Sequence, residues 1–116
     1  EEIDAGLYAS RSWEDFLNDF PDFSNKPLSD IHFPNGESYF SMFNRVKNFV
    51  EDIILNSGDN FLIVAHGGSI ASILHVLLDI PFDRFSCFKI DNFSISLIKK
   101  DIRQDSWMSE YVNRNI

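Results

Sequence analysis

The sequence predicts an α/β domain, and three patterns between residues 38 and 98 indicate it. Apolar residues recur every three or four positions from Tyr39 to Ile54, as in an amphipathic helix with Ser38 as its N-cap. The apolar run at residues 61–65 has no polar alternation, which suits a strand covered on both faces. A second helical pattern over residues 70–78 and a strand pattern over residues 90–98 follow. Elements in this order are typical of a layered α/β fold.

The segments before the first long helix are predicted to be short or irregular. Ser12–Asp15 resembles a capping box, so a short helix is expected to run through Phe16 and Leu17. Residues 21–36 hold prolines, an Asn-Gly pair and many turn-forming polar side chains, which together predict a long loop. A loop of this length in a small domain is more often a functional lid than a linker.

Size and charge limit the classes of protein and partner. The 116 residues suffice for one domain, and 44% hydrophobic residues supply a core. The formal net charge of -8 and the lack of a basic run argue against nucleic acid and anionic membranes as partners. Small phosphate esters remain compatible with this charge, because local donors and helix N-termini can bind an anion within a few ångströms.

The single cysteine, Cys87, cannot form an internal disulfide, and its apolar neighbourhood predicts a small buried hydrophobe. No apolar run has the length of a membrane span, and the N-terminus lacks the pattern of a secretion signal. A cytoplasmic location is therefore expected.

His66 is the strongest candidate for chemistry. It follows the predicted buried strand and precedes Gly67, Gly68 and a helix, and ligands bind at such strand ends in open α/β sheets. Glycines let backbone N–H groups approach a ligand, and the helix dipole favours an anion. An imidazole there can stabilise a phosphoryl group or transfer a proton. A histidine that only bonds a neighbouring loop is the structural alternative, and we favour the functional one.

Other candidates carry weaker signals when taken alone. Residues 34–38 are explained by helix capping, and adjacent Glu1 and Glu2 are typical of a solvated chain end. We expect His32 and His75 to be exposed, although His32 lies in the proline-rich loop and could instead face a ligand. Arg45 is expected to be a solvent-facing ion-pair partner, and it could, like Arg11, instead bind a phosphate.

Taken together and in order, these features resemble the histidine phosphatase superfamily, also called phosphoglycerate mutase-like. The resemblance rests on Glu-Ile-Asp-Ala-Gly at residues 2–6, Asn-Gly-Glu-Ser at residues 35–38 with Arg45 beyond it, and Val-Ala-His-Gly-Gly at residues 64–68. Residues 92–96 and 107–113 also resemble the end of the family domain. The α-ribazole phosphatase and broad-specificity phosphatase branch is the most similar in these features.

The resemblance implies a fold and a set of roles. The fold would be an α/β/α sandwich, of which residues 1–116 form the C-terminal part of a single domain without its N-terminal strand or strands. His66 and Glu2 would be catalytic, Glu2 as the general acid, with Glu1 as the alternative if the register slips by one. Gly67 and Ser38 would bind substrate, and residues 20–33 would belong to a cap over it.

The resemblance also implies phosphomonoester hydrolysis on a small metabolite through a phosphohistidine intermediate, with no cofactor and no metal. The family nucleophile is a histidine in an Arg-His-Gly motif, which is expected upstream because these 116 residues lack one. The chain alone is therefore expected to be inactive. Mutase-type phosphoryl transfer and a non-catalytic anion-binding remnant remain alternatives. The partner would be a small phosphomonoester or inorganic phosphate, and self-association into a homo-oligomer stays open.

Overall fold

The computed structural model describes all residues from 1 to 116. It contains three α-helices and two β-strands, and the first helix is preceded by a single 3₁₀ turn at Gly6–Tyr8. No helix in it is both long enough and apolar enough to cross a bilayer. The elements are α1 (Trp13–Asp19), α2 (Tyr39–Phe49), α3 (Gly67–Leu77), β1 (Ser94–Asp101) and β2 (Ser106–Asn115), with further 3₁₀ turns at Pro21–Asn25, Leu28–Asp30 and Phe82–Arg84 and a π-helical turn at Val50–Ile54.

The larger hydrophobic cluster lies between α2 and α3 and confirms the helical pattern predicted from the sequence. Ser38 caps α2 as predicted, since its side chain accepts a hydrogen bond from the Ser41 N–H. The π-helical turn continues the apolar stripe beyond Phe49 and keeps its last buried residues on the core side. The buried members of this cluster are Met42, Phe43, Val46, Val50, Ile54, Ala71 and Phe85.

A second, aromatic cluster occupies the region predicted to be a long loop. The predicted capping box is present at Ser12 and Asp15, and it starts α1 with Phe16 fully buried. Residues 21–36 are not structureless, because two 3₁₀ turns fold this segment back over α1. Ile31 and Phe33 then bury their side chains against Phe16. Apolar side chains spaced irregularly in a proline-rich segment thus formed a core that periodicity does not reveal.

The sheet consists of β1 and β2, which pair antiparallel from Ser94–Asn115 to Asp101–Ser106. The strand predicted over residues 90–98 therefore begins at Ser94 and continues to Asp101. Asp91 lies just before it, where Asn113 donates to the Asp91 carboxylate and accepts from the Asp91 N–H. Helices and strands together support the predicted α/β class, and the α/β/α sandwich stays a prediction.

The apolar run at residues 61–65 is the main departure from expectation. It forms no strand, and none of its backbone groups has a hydrogen-bond partner within the chain. Leu62 and Val64 are 87% and 91% exposed, so the prediction of a strand covered on both faces is wrong for these residues. The composition of a buried strand is present, but no neighbouring strand of these 116 residues pairs with it.

Two single-residue predictions are also wrong. His75 is 0% exposed rather than solvated, because the segment after α3 folds back over the end of that helix. The Cys87 N–H donates to His75 Nε2 at 3.2 Å, while His75 Nδ1 lies 3.3 Å from the Ile80 carbonyl oxygen. Cys87 itself is exposed rather than buried, and its thiol donates to the Arg84 carbonyl oxygen at 3.0 Å.

Candidate active site

His66 stands at the N-terminus of α3 with its side chain open to solvent. It is the N-cap residue in extended conformation, and its carbonyl accepts the first helical hydrogen bond, from the Ile70 N–H at 2.9 Å. Its side chain forms no capping bond and is 59% exposed. The N–H groups of Gly67 and Gly68 precede that first helical bond, as the free donors of a helix start do. The imidazole and these donors therefore share one end of α3.

Gly67 and Gly68 both lie close to neighbouring segments. A side chain at Gly68 would meet the Met42 side chain at 3.4 Å, and one at Gly67 would meet the Ile90 carbonyl oxygen at 3.5 Å. A cavity of about 230 Å³ lies beside them, lined mostly by apolar side chains such as Phe88 and Ile90. Because that lining offers an anion few donors, the polar end of α3 at His66 is the better place for a phosphate group.

Glu2 is the carboxylate that the fold brings to His66. Its Oε2 atom lies 3.6 Å from His66 Nδ1, which is longer than a hydrogen bond but close enough for charge interaction. The Glu2 side chain is 64% exposed. The charge of Glu2 also reaches Tyr39, where burial and this nearby carboxylate raise the pKa of the phenol. Two residues separated by 64 positions in the sequence thus meet at one surface.

The segment that carries Glu2 is docked onto the turn before α2. The Glu37 N–H donates to the Asp4 carbonyl at 2.7 Å, and the Leu7 N–H donates to the Pro34 carbonyl at 3.0 Å. Gly6 has a φ of +53°, and a side chain there or at Gly36 would collide with the backbone of the other segment. Two motifs noted in the sequence, residues 2–6 and residues 35–38, are therefore in direct contact.

Arg45, on α2, links this segment to the helix. Its Nε atom donates to Glu37 Oε1 at 3.0 Å and its Nη2 atom to Glu37 Oε2 at 3.1 Å. It also donates to the carbonyl oxygens of Glu1 and Glu2. The hydrogen bond from Arg45 holds the pKa of the Glu37 carboxyl below its ordinary value, against the opposing effect of partial burial. Arg45 is an ion-pair partner, as expected, but its backbone contacts were not foreseen.

The remaining predicted residues are placed as follows. Ser38 serves α2 as its N-cap, and its hydroxyl also lies 3.1 Å from that of Ser41. His32 is exposed, as expected, in a single β-bridge with Ser38. Arg11 lies over the Tyr8 ring and pairs with Asp19 near α1. The roles predicted for His66, Glu2, Gly67 and Ser38 are not tested by these contacts and stay predictions.

Sequence comparison agrees with this arrangement of motifs. Residues 1–115 match the histidine phosphatase superfamily (branch 1), and because the match spans nearly the whole chain, the chain belongs to that superfamily. One relative is phosphoserine phosphatase 1 of Hydrogenobacter thermophilus, which is 28% identical over 108 residues. The match covers 90% of the chain and 51% of the relative, so the chain spans about half the length of that protein.

Proposed function

We propose that the domain to which these residues belong hydrolyses a small phosphomonoester through a phosphohistidine intermediate. The observation that carries the proposal is the approach of Glu2 Oε2 to within 3.6 Å of His66 Nδ1 at the start of α3. A carboxylic acid beside a site for an anion is the arrangement that leaving-group protonation requires. Family membership supports the same reaction class.

The proposed reaction has two balanced steps. A histidine nitrogen of an Arg-His-Gly motif, which residues 1–116 do not contain, attacks phosphorus and displaces the alcohol oxygen. Glu2 in its acid form gives its proton to that oxygen as the P–O bond breaks. In the second step water attacks the phosphohistidine, the P–N bond breaks, and the Glu2 carboxylate takes the proton from water. Inorganic phosphate and the alcohol are the products.

His66 stabilises the phosphoryl group during both steps in this proposal. Its ring and the N–H groups of Gly67 and Gly68 lie at the end of α3 where the helix dipole favours negative charge. Donors that are already oriented act strongly where charge builds up in a transition state. Ser38 is proposed to bind substrate together with Gly67, and residues 20–33 to form part of the cap.

The substrate is proposed to be a small metabolite. The name of the relative makes phosphoserine the first compound to assay. The α-ribazole phosphatase and broad-specificity branch remains the proposed placement within the family, so α-ribazole phosphate and sugar phosphates follow. We place the reaction in the cytoplasm, with residues 1–116 as the C-terminal part of a single α/β/α sandwich domain. Phosphate transfer of the mutase type is the alternative within the same chemistry.

A non-catalytic anion-binding domain is the second candidate. It is favoured by one observation, which is that the start of α3 presents the solvent-exposed side chain of His66 and N–H groups without helical partners, and these can hold an anion without any nucleophile. Such a domain would bind phosphate or vanadate at His66 and turn over nothing. Isothermal titration with vanadate, run beside the activity assay, separates binding with turnover from binding alone.

Replacing His66 and Glu2 in the protein as its gene encodes it tests the proposal. His66→Ala should lower kcat by about a hundredfold or more, the size of effect seen when a transition-state donor is removed. Glu2→Gln should lower turnover of alkyl phosphates strongly and of p-nitrophenyl phosphate little, because nitrophenolate leaves without a proton. Glu14→Gln, an exposed carboxylate on α1, is the matched control. Unchanged turnover in His66→Ala would contradict the proposal, and leaving-group dependence in Glu1→Gln instead would move the acid by one residue.

A further inference from the structure

We infer that Glu37 and Arg45 act as a positioning pair that fixes the Glu2 carboxylate against His66. The inference rests on the proposed function for its chemical meaning, since it concerns how the general acid is held. Neither Glu37 nor Arg45 would touch the phosphate. The two side chains would act only through the backbone of residues 1–4.

The pair is built to be rigid. Arg45 meets the Glu37 carboxylate with two parallel hydrogen bonds, at 3.0 and 3.1 Å, and such two-point contacts fix orientation as well as distance. The Glu37 side chain is 22% exposed, so the carboxylate is largely shielded from water. Glu37 Oε2 also accepts a hydrogen bond from the Asp4 N–H at 3.0 Å. One carboxylate thus joins helix α2 to the chain just beyond Glu2.

The second edge of the guanidinium holds the chain at Glu2 and just before it. Arg45 Nη2 donates to the Glu2 carbonyl at 3.2 Å, and Nη1 and Nη2 both lie 3.4 Å from the Glu1 carbonyl. Residues 1, 2 and 4 are therefore all tied to the pair. Arg45 has little donor capacity left, because both edges of its planar group are engaged. It is thus a poor candidate for a phosphate ligand.

Ser69 ties the same segment to the helix that carries His66. Its hydroxyl donates to the Glu1 carbonyl at 2.5 Å, and the residue is 3% exposed. Arg45 therefore fixes the position of Glu2 relative to α2, and Ser69 fixes it relative to α3. His66, the N-cap of α3, lies only three residues before Ser69. Because α2 and α3 are packed against each other, these two anchors also fix the distance between Glu2 and His66.

The side chains of Glu2 and His66 need such support. They are 64% and 59% exposed, and the Glu2 carboxylate accepts no hydrogen bond within the chain. With little packing to hold that carboxylate, its distance from His66 depends on the backbone beneath it. Loss of the backbone anchors should let Glu2 move away, and misplacement by about 1 Å can cost on the order of a hundredfold in rate.

The test uses Arg45→Met, Arg45→Lys and Glu37→Gln in the protein as its gene encodes it. Lys47→Met, on the exposed side of the same helix, is the matched control. In Arg45→Met and Glu37→Gln we expect kcat for alkyl phosphates to fall roughly ten- to a hundredfold, with KM and turnover of p-nitrophenyl phosphate nearly unchanged. Arg45→Lys should recover only part of the rate, because a point charge cannot keep both edges of the contact. Equal losses on both substrates would show general damage to the site and overturn the inference.

A measurement without turnover keeps the inference separate from the proposed reaction. In the otherwise unaltered protein, Glu2→Gln should shift the ring resonances of His66 in a ¹H–¹³C NMR spectrum, because the two side chains are adjacent. In the Arg45→Met background the same substitution should shift them little. A full shift in that background overturns the positioning role. Loss of the shift supports it even when no phosphomonoester is hydrolysed, an outcome that would contradict only the proposed function.

Discussion

His75 is a histidine enclosed on all sides by the core. Phe43, Phe85 and Phe88 surround its ring, and its Nε2 atom accepts a hydrogen bond from the Cys87 N–H. That bond requires an unprotonated Nε2, so the proton of the neutral ring belongs on Nδ1, facing the Ile80 carbonyl. Burial lowers the pKa of His75 below its ordinary value, and the charge of Arg84 acts in the same direction. His75 is therefore held neutral.

Stability should consequently fall in acid because of this one residue. The unfolded chain takes up a proton at His75 near pH 6.5 while the folded chain does not, so the free energy of unfolding decreases as pH falls below about 6.5. The slope from one such group cannot exceed about 1.4 kcal/mol per pH unit. Urea unfolding at pH 7.5 and pH 5.5 measures it. His75→Gln should reduce the slope and the exposed His32→Gln should not; equal slopes in all three proteins would contradict this account.

For single residues, the sequence predicted the location or burial of some side chains correctly and of others wrongly. His66 was recognised because it follows an apolar run and precedes two glycines, a pattern that is local. His75 was misjudged because the groups that bury it come from Phe43 on α2 and from residues 80–88, beyond the end of its own helix. Arg45 was predicted to be an ion-pair partner, but its bonds to backbone carbonyls could not be predicted, because every residue type carries a backbone carbonyl. Side chains that act on distant backbone are the hardest to predict.

At the scale of elements, residues 4–7 and residues 34–37 form a clasp that depends on two glycines. Gly36 has no room for a side chain against the backbone of Asp4, and Gly6 holds a left-handed φ of +53°. Gly58, by contrast, faces open space and has no left-handed φ. A side chain at Gly36 would therefore require the backbone to move, whereas a side chain at Gly58 would not.

Replacing these glycines by alanine should give opposite results. Gly36→Ala should separate the clasp and lower the free energy of unfolding by more than about 1 kcal/mol, because backbone must move. Gly58→Ala should be neutral or stabilise by up to about 1 kcal/mol, since alanine restricts the unfolded chain. Guanidinium unfolding of both variants against the original protein measures this. Equal tolerance at the two positions would show that the clasp is looser than described.

Helices were easier to predict than the sheet for a physical reason. The stripe of α2 and the capping box of α1 use contacts within four residues, and both are present. A strand needs hydrogen bonds to another segment, which composition alone does not supply. Residues 61–65 have the apolar composition of a buried strand and yet lie unpaired. Their composition indicated a preference for strand conformation but did not identify a segment that could pair with them.

The whole molecule is more extended than a compact chain of its length. Its radius of gyration is 15.3 Å, against about 13 Å expected for a compact chain of this length. The cluster between α2 and α3 and the cluster around Phe16 form the body, while Ile102 at the tip of the β1–β2 hairpin is 92% exposed. Leu62 and Val64 add exposed apolar surface with free backbone donors, which is a surface that other chains can pair with.

The 116-residue polypeptide by itself should therefore self-associate as its concentration rises. Leu62→Lys with Val64→Lys should shift it toward monomer, because charges on an exposed segment with unpaired backbone groups oppose its pairing with another chain. Both side chains are almost fully solvent-exposed, so the double variant should lose little stability. Size-exclusion chromatography with light scattering measures the mass, and Ile102→Lys, at the hairpin tip, is the matched control. An unchanged mass in the double variant would place the association elsewhere.

The bonds from Arg45 and Ser69 to the Glu1 carbonyl join residues 44 and 68 positions apart. Contacts of such long range form after local helices during folding, because the entropy cost of closing a long loop comes before the contacts that offset it. They are also contacts that a local opening can break without unfolding either helix. A small opening can thus release residues 1–6 while α2 and α3 keep their core. Circular dichroism would then report a native protein in which the Glu2 carboxylate no longer faces His66.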